Sequence, residues 1–586
     1  MFEKGQIVQI EIEDISNQGQ GIGKYQGMAI FVGGVTLGDK VTVELTKIKK
    51  RYAFAKLVSV DQPSPYKVES ICQYQNQCGG CPLMNTSYEG QLVLKEKHVK
   101  DRLTRLGNLE NPTVNPIVGM EEGTELFYRN KATLPISTGG NIMRKGGIIE
   151  NLDKPKIGFY KGKSHEVVDC KECYIQSKAA MVAVDATRQF MEEDNITAWD
   201  DKWEQGLMRH MIVRTSFETG EVMVTYIING KGIPNAEKLI EMLDDAVYEA
   251  GFSLESVNIS TKKDKVVGGE IYGKEVTPYA GKHIIVDYIG DLKFEVSPRS
   301  FYQVNPVMTE KLYTKAKEYA NLTGSENVLD LYCGVGSIGL FMADQAKQVL
   351  GIEVVKEAVL DANRNAVING IVNARFLTGK AEDELPKLID GKGDEDLVKV
   401  AQNADVVVLD PPRAGCAPWL LDAVCQVGPE RIVYVSCDPA TLARDIKILG
   451  ENGYDFVEAT PYDLFPMTNH VETVCLLSRE KSVKRYVHVD VTPEELGMRG
   501  KSKNVKHPTY PQIREYVKEK HGLTVSSANI ASVKDECGME KQFSYKEAGM
   551  AAKKRPNCPK KKRDAIVEAF VHFGMLSQSD AEALDA

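Results

Sequence analysis

Asn327-Val-Leu-Asp-Leu-Tyr-Cys-Gly-Val-Gly-Ser-Ile-Gly339 is an apolar run that breaks into a glycine-rich turn. Val328, Leu329 and Leu331 have the unbroken apolar character of a strand buried on both faces. The glycines let the backbone turn tightly and approach a ligand before a helix begins. A second apolar run, 349–352, ends at Glu353, 23 residues after Asp330. Strand, glycine turn, helix, strand and acid in this order predict a parallel α/β sheet that binds a cofactor through its ribose hydroxyls. NAD is one candidate. S-adenosylmethionine is favoured, because Asp330 closes the first strand and can take a methionine amino group, and because that cofactor has no phosphate to cradle.

Strands and helices alternate onward from about 325. Asp410-Pro-Pro-Arg-Ala-Gly415 closes the strand expected at 406–409. Ile432, Val433 and Val435 predict another buried strand, ended by Ser436 and Cys437. Asp438 suits the cap of the next helix, and Pro439 its first position, where no N–H is needed. Cys437 then lies at a strand's carboxyl end, where open α/β sheets bind ligands. It also lies at a helix N-terminus, where the dipole is expected to lower its pKa. One isolated cysteine is more often inert and buried. Here Asp410 and His470-Val-Glu-Thr473, just ahead of the apolar run 474–477, place carboxylates at neighbouring strand ends. Thiol and carboxylates together predict a catalytic mouth.

The N-terminal 60 residues are β-rich. Short apolar stretches at 8–12, 29–32, 40–45 and 53–58 alternate with glycine turns, the pattern of a small barrel resembling an OB-fold. Lys47-Ile-Lys-Lys-Arg-Tyr-Ala-Phe54 interleaves cations with aromatic rings, as RNA-binding surfaces do; a solvated turn has the same composition. Next comes Cys72-x5-Cys78-Gly-Gly-Cys81, with Cys170 and Cys173 as candidates for a fourth thiolate. Zinc and a 4Fe-4S cluster both accept four thiolates, and the loose spacing favours iron–sulfur. An amphipathic helix is expected over 88–106, with Leu92, Val99, Leu103 and Leu106 on its buried stripe. Residues 125–290 look α+β. Tyr128-Arg-Asn-Lys131 and Gly206-Leu-Met-Arg-His210 offer phosphate contacts or ordinary surface charge. Ser297-Pro-Arg-Ser-Phe-Tyr-Gln-Val-Asn305 has the aromatics and amides to hold a base or a cofactor.

A chain of 586 residues with 42% apolar side chains holds several domains and ample core. There is no run of 18 apolar residues and no signal-peptide pattern, so no membrane partner and a cytoplasmic location are expected. Its twelve cysteines are then not expected to form disulfides. The net charge of −9 argues against indiscriminate nucleic-acid binding. Yet residues 501–563 carry sixteen Lys/Arg against six Asp/Glu, a local +10. Residues 501–508 suggest a linker. Helices are expected at 511–521, 526–537 and 562–573, with Ile513, Val517, Ile530, Val533, Ile566 and Phe570 as their core. Lys553-Lys-Arg555 and Lys560-Lys-Lys-Arg563 sit beside that unit, either to contact phosphates or as a solvated tail.

Taken together, the 330–339 stretch, Phe301-Tyr-Gln-Val-Asn305, Asp410-Pro-Pro-Arg413, Ser436-Cys-Asp-Pro439 and His470-Val-Glu472 resemble the RNA 5-methyluridine methyltransferases. The cysteine group and the barrel, which resembles a TRAM domain, narrow this to the 23S ribosomal RNA branch. The likeness covers roughly residues 1–480. It implies a multidomain α/β architecture. A TRAM-like RNA-binding barrel occupies 1–60, and a central α+β domain with an iron–sulfur cluster occupies 61–290, its stretch 88–120 packing on the catalytic domain. A Rossmann-like S-adenosylmethionine-dependent methyltransferase domain spans 291–484; outside the likeness, the residues themselves predict a basic helical extension over 485–586. The likeness implies Cys437 as nucleophile and Glu472 as proton acceptor. It implies cofactor contacts from Gln303, Tyr332, Glu353 and Asp410. Cys72, Cys78, Cys81 and Cys173 would hold a 4Fe-4S cluster, Cys173 fitting the family's fourth ligand better than Cys170. A monomer acting on 23S ribosomal RNA is expected. Three rivals stand beside it. A tRNA uridine methyltransferase shares the core but is not expected to carry the barrel and cysteine group. An exocyclic-amine methyltransferase needs no nucleophilic cysteine. A non-catalytic assembly factor requires Cys437 to be inert.

Overall fold

The computed structural model describes residues 2–479 except 17–18, 76, 139–140, 144–148, 152–153, 163, 202 and 264–269. Of the C-terminal region it describes 510–523, 525, 529–530, 533, 537, 560–573 and 575–576. The chain forms two compact units. The first comprises 1–137, 156–177 and 287–480, and the second 138–155, 178–286 and 481–586.

The first unit is built on a seven-stranded sheet. Its order is Ala374–Thr378, Gln348–Glu353, Asn327–Leu331, Val406–Leu409, Arg431–Ser436, Glu472–Ser478, Asp455–Tyr462. The first five strands are parallel, and the last two run antiparallel to their neighbours. The parallel strands are continuous apolar runs because helices cover both faces. Val328, Leu329, Val407, Leu409, Ile432 and Val433 are fully buried. Strand order reverses beside Asn327–Leu331, the switch point where such sheets bind ligands.

Five strands, Ile7–Ile15, Gly21–Tyr25, Met28–Val32, Lys40–Ile48 and Tyr52–Gln62, close into a barrel. The strand Gly21–Tyr25 was not among the expected ones. Its glycines hide the alternation, and they are needed there: a Cβ on Gly23 would lie 2.4 Å from the Glu11 carbonyl oxygen.

Helix Tyr88–Arg105 joins barrel and sheet. Leu94 belongs to the barrel core, and Val99 and Leu103 to the sheet's. The expected stripe holds at Val99 and Leu103, but Leu106 is exposed. The rest of the buried face is polar, with Gln91, Lys95 and His98. His98 Nε2 lies 2.6 Å from Asp14 Oδ1 of the barrel.

In the second unit the strands Met208–Thr215, Glu221–Ile228, Ser253–Thr261 and Thr277–Gly281 pair in that order. Arg209 and His210 are buried there, Arg209 over the Trp199 ring, so they are neither surface charge nor phosphate contacts. Helices Tyr510–His521 and Lys560–His572 pack together. The six expected core residues Ile513, Val517, Ile530, Val533, Ile566 and Phe570 are all in their core. Arg514 pairs with Asp244 and lies over the Tyr248 ring, anchoring this bundle on helix Ala236–Glu249. The 501–508 linker, the cluster Lys553-Lys-Arg555 and most of the middle helix fall outside the described residues. No described helix is long and apolar enough to cross a membrane.

Candidate active site

The glycine turn after Asn327–Leu331 is shaped by Asp330 and Glu353. Asp330 Oδ2 accepts from the Gly339 amide at 2.9 Å, and a Cβ on Gly339 would meet that oxygen at 2.8 Å. Glu353 Oε2 accepts from the Gly334 amide at 3.1 Å. Tyr332, Gly334 and Gly336 all have positive φ, which is costly only for Tyr332. Asp330 is fully buried, and its Oδ1 has no hydrogen-bond partner among the described residues. An orphaned buried carboxylate oxygen beside a glycine turn fits the ammonium of S-adenosylmethionine. Tyr332 donates its hydroxyl to Glu382 Oε1 at 2.6 Å. Gln303 is buried, and its backbone oxygen accepts from Asn130 Nδ2.

Ser436 of one strand faces Thr473 of the antiparallel neighbour. One step further, Cys437 and Glu472 therefore stand side by side. Asp438 caps helix Pro439–Glu451 as expected, accepting from the amides of Ala440 and Thr441. The lowered thiol pKa expected from this helix end is not found. Burial, with Glu472 and Asp410 adding to it, pushes Cys437 up to about 12. The dipole of one helix is outweighed by desolvation and two nearby carboxylates. Glu472 is itself raised to about 8 by burial and then by Asp410. Asp410 is raised to about 7 by burial and then by Asp330. The three carboxyls and the thiol thus form one electrostatically coupled group. Arg413 is the cation that pulls Cys437 and Glu472 back down. It also donates to His470 Nε2 at 3.1 Å, tying the two loops that flank the mouth.

Several residues here escaped the sequence reading. Tyr313, buried on helix Pro306–Ala320, is pushed up by burial and then by Asp410, so it lies against the same group. Asp445 is fully buried and accepts from the Cys416 amide (2.8 Å) and the Tyr434 hydroxyl (2.6 Å), and it pairs with Arg444. It thereby fixes the end of the Asp410–Cys416 loop to the helix that follows Cys437.

Of the cysteines, Cys81 is raised by burial and then by Cys173, Cys78 and Cys72, so these four thiols converge. Cys170 also feels Cys78 and Cys173, but it is buried with its thiol directed at the Val168 carbonyl oxygen, 3.4 Å away. No group of three or more Cys, His, Asp or Glu among the described residues has metal-holding geometry as it stands. Tyr128 and Asn130, in the stretch read as surface charge or phosphate contact, are buried, and Arg129 lies over the Phe465 ring.

The sequence pattern of the family described as tRNA (Uracil-5-)-methyltransferase matches residues 179–480, and that of the TRAM domain matches 2–58. The chain belongs to the RNA uracil-5-methyltransferase family. This uracil-5-methyltransferase is 40% identical over 475 residues to an uncharacterized RNA methyltransferase of Bacillus cereus, covering 81% of this chain and 97% of that one. It is 42% identical over 476 residues to one of Caldanaerobacter subterraneus, covering 81% and 98%. The Pyrococcus abyssi tRNA (uracil-54, C5)-methyltransferase, solved with S-adenosyl-L-homocysteine, is similar over 80% of this chain and 100% of that chain. Its TM-score is 0.60 and its identity 28%. The methyltransferase fold, the barrel and the dependence on S-adenosylmethionine expected from the sequence are therefore upheld.

Proposed function

We propose that this methyltransferase modifies carbon 5 of a uridine in 23S ribosomal RNA through a covalent adduct between Cys437 and carbon 6. The observation that carries it is the pairing of Cys437 and Glu472 at the ends of adjacent strands, next to Asp410. Carbon 5 of uracil is a weak nucleophile. The Cys437 thiol gives up its proton as its sulfur adds to carbon 6, and the electron pair of the 5,6 double bond makes carbon 5 enolate-like. Bound S-adenosylmethionine supplies the methyl group, on a sulfonium that carbon 5 attacks. Glu472, in its ionised form, then accepts the carbon-5 proton, and elimination of the thiolate restores the ring. Gln303, Tyr332, Glu353 and Asp410 hold the cofactor, with Asp330 on its ammonium. The uridine must leave its stack to enter so buried a mouth.

Cys72, Cys78, Cys81 and Cys173 hold a 4Fe-4S cluster in this reading. Their convergence supports it, and so do Gly79 and Gly80, which let the chain wrap the group. The barrel and the cysteine group favour ribosomal RNA. A second reading, tRNA, is favoured by the likeness to the archaeal tRNA enzyme. That likeness spans 80% of the chain, which makes barrel and cysteine group a weaker discriminator than the sequence alone suggested. The test is transfer of labelled methyl from S-adenosylmethionine to unmodified 23S RNA and to unmodified tRNA, with the product uridine mapped. Labelling of tRNA alone would replace the first reading by the second.

A further inference from the structure

The barrel carries an outward cluster of three rings that the methyl-transfer chemistry does not use. Ile30, Val32 and Ala53 point inward and are fully buried. The alternating positions Phe31, Tyr52 and Phe54 therefore point out. Phe31 stands opposite Phe54 across two parallel strands, and Phe54 stands opposite Lys47 on its other side. The Phe31 and Phe54 ring centroids are 5.7 Å apart and tilted by 41°. Tyr52, 38% exposed, is close to perpendicular to both, at 78° and 87°. The rings thus make a corner in which a planar group can lie flat on one ring and meet the next edge-on.

The rim of this corner is mostly basic, with Glu44 opposite Lys56 at its edge. Between Glu44 and Asp61 stand Lys47, Lys49, Lys50, Arg51 and Lys56 and no acid. All five are exposed. The tight turn that displays them is closed by the Lys49 amide on the Tyr52 carbonyl oxygen at 2.8 Å. An apolar corner ringed by cations matches a base between two phosphates better than it matches an apolar protein surface.

The barrel is also held to the catalytic end. Asn469, three residues before Glu472, donates to the Ser16 carbonyl oxygen of the first barrel turn at 2.8 Å. RNA gripped on the barrel is thereby referred to the mouth.

We propose that Phe31, Tyr52 and Phe54 stack one unpaired nucleobase of the substrate RNA, with its flanking phosphates on the Lys47–Arg51 rim. This rests on the reading of the chain as an RNA enzyme and adds a second base-binding point to it.

The test uses the full chain and a fluorescein-labelled single-stranded RNA, with the same sequence as a blunt duplex for comparison. The Tyr52→Ala/Phe54→Ala variant should bind the single strand about 5- to 150-fold more weakly, the worth of one stacked base. Its affinity for the duplex and its salt slope should stay as in the unaltered protein. Lys49→Gln/Lys50→Gln should instead lower the salt slope for both. Tyr52→Trp should keep the affinity and show an additional tryptophan signal that the single strand quenches and the duplex does not. Unchanged single-strand affinity in the double alanine variant, or no quenching in Tyr52→Trp, overturns the stacking site while leaving the RNA reading intact. An unaltered protein that binds neither RNA overturns the RNA reading itself.

Discussion

Lys95 Nζ lies 2.6 Å from Asp463 Oδ1, and neither side chain reaches solvent. Lys95 also donates to the Phe465 carbonyl oxygen at 3.0 Å. One turn earlier on the same helix, Gln91 Oε1 accepts from the Met467 amide at 2.7 Å. Helix Tyr88–Arg105 therefore clasps residues 463–467, the approach to His470 and Glu472. Met467 is held at φ +67, a left-handed conformation that a methionine adopts only under such constraint. Lys95→Met strands a buried carboxylate, which costs about 3–5 kcal/mol. We expect a matching fall in thermal stability and a loss of methyl transfer. Lys95→Met with Asp463→Leu should recover most of the stability, and calorimetry of both variants checks it.

Cys437→Ala should abolish methyl transfer while S-adenosylmethionine still binds. Glu472→Ala should permit attack and methylation but stall elimination, leaving a methylated covalent RNA adduct on denaturing gels. Adding Cys437→Ala should erase that band. A Glu472→Ala enzyme that turns over normally removes Glu472 from the chemistry.

Asp330, Asp410 and Glu472 are raised to about 7, 7 and 8, in each case mainly by burial. An unfolded chain sheds these protons near pH 4. The folded protein thus holds more protons than the unfolded one between about pH 4.5 and 8, and its stability falls as pH rises through that window. Glu472→Gln should flatten the decline, as read from melting temperature against pH. A cationic ligand against Asp330 and Asp410 expels the same protons. Binding of S-adenosylmethionine should therefore tighten as pH rises through about 7, with proton release visible calorimetrically in buffers of different ionisation heat.

Anaerobically purified protein should contain iron and sulfide. Cys173→Ser should lose them, and Cys170→Ser, whose thiol already serves the Val168 carbonyl oxygen, should keep them. Stoichiometric zinc without iron overturns the cluster assignment.

Lys560, Lys561 and Lys562 open a helix whose dipole disfavours cations there. Their replacement by Gln should reduce the salt slope of single-stranded RNA binding by up to about 0.7 per charge. An unchanged slope would assign the C-terminal bundle another purpose.

The parallel sheet was legible because strands buried on both faces are plain apolar runs, and the cap at Asp438 because its signal is local. The C-terminal core was legible for the same reason, since Ile513 and Val517 or Ile566 and Phe570 lie one turn apart. Gly21–Tyr25 was not legible, because glycine in a strand looks like a turn until the facing backbone is known. The buried roles of Gln91 and Lys95 were not legible, since their partners lie 376 and 368 positions away. The titration of Cys437 was misjudged for a related reason. The helix end is local, whereas Glu472 and Asp410 arrive from other strands.

The raised thiol has a consequence for the life of the enzyme between turnovers. Peroxides and alkylating metabolites attack thiolates, not thiols. With its proton held to about 12, Cys437 is chemically quiet at neutral pH while the mouth stands empty. A nucleophile sheltered by its own neighbouring acids can wait for its substrate RNA without being spent on bystanders. Iodoacetamide should therefore leave the resting protein able to methylate, and at alkaline pH it should alkylate Cys437 of Glu472→Gln, as read by mass spectrometry, no more slowly than Cys437 of the unaltered enzyme.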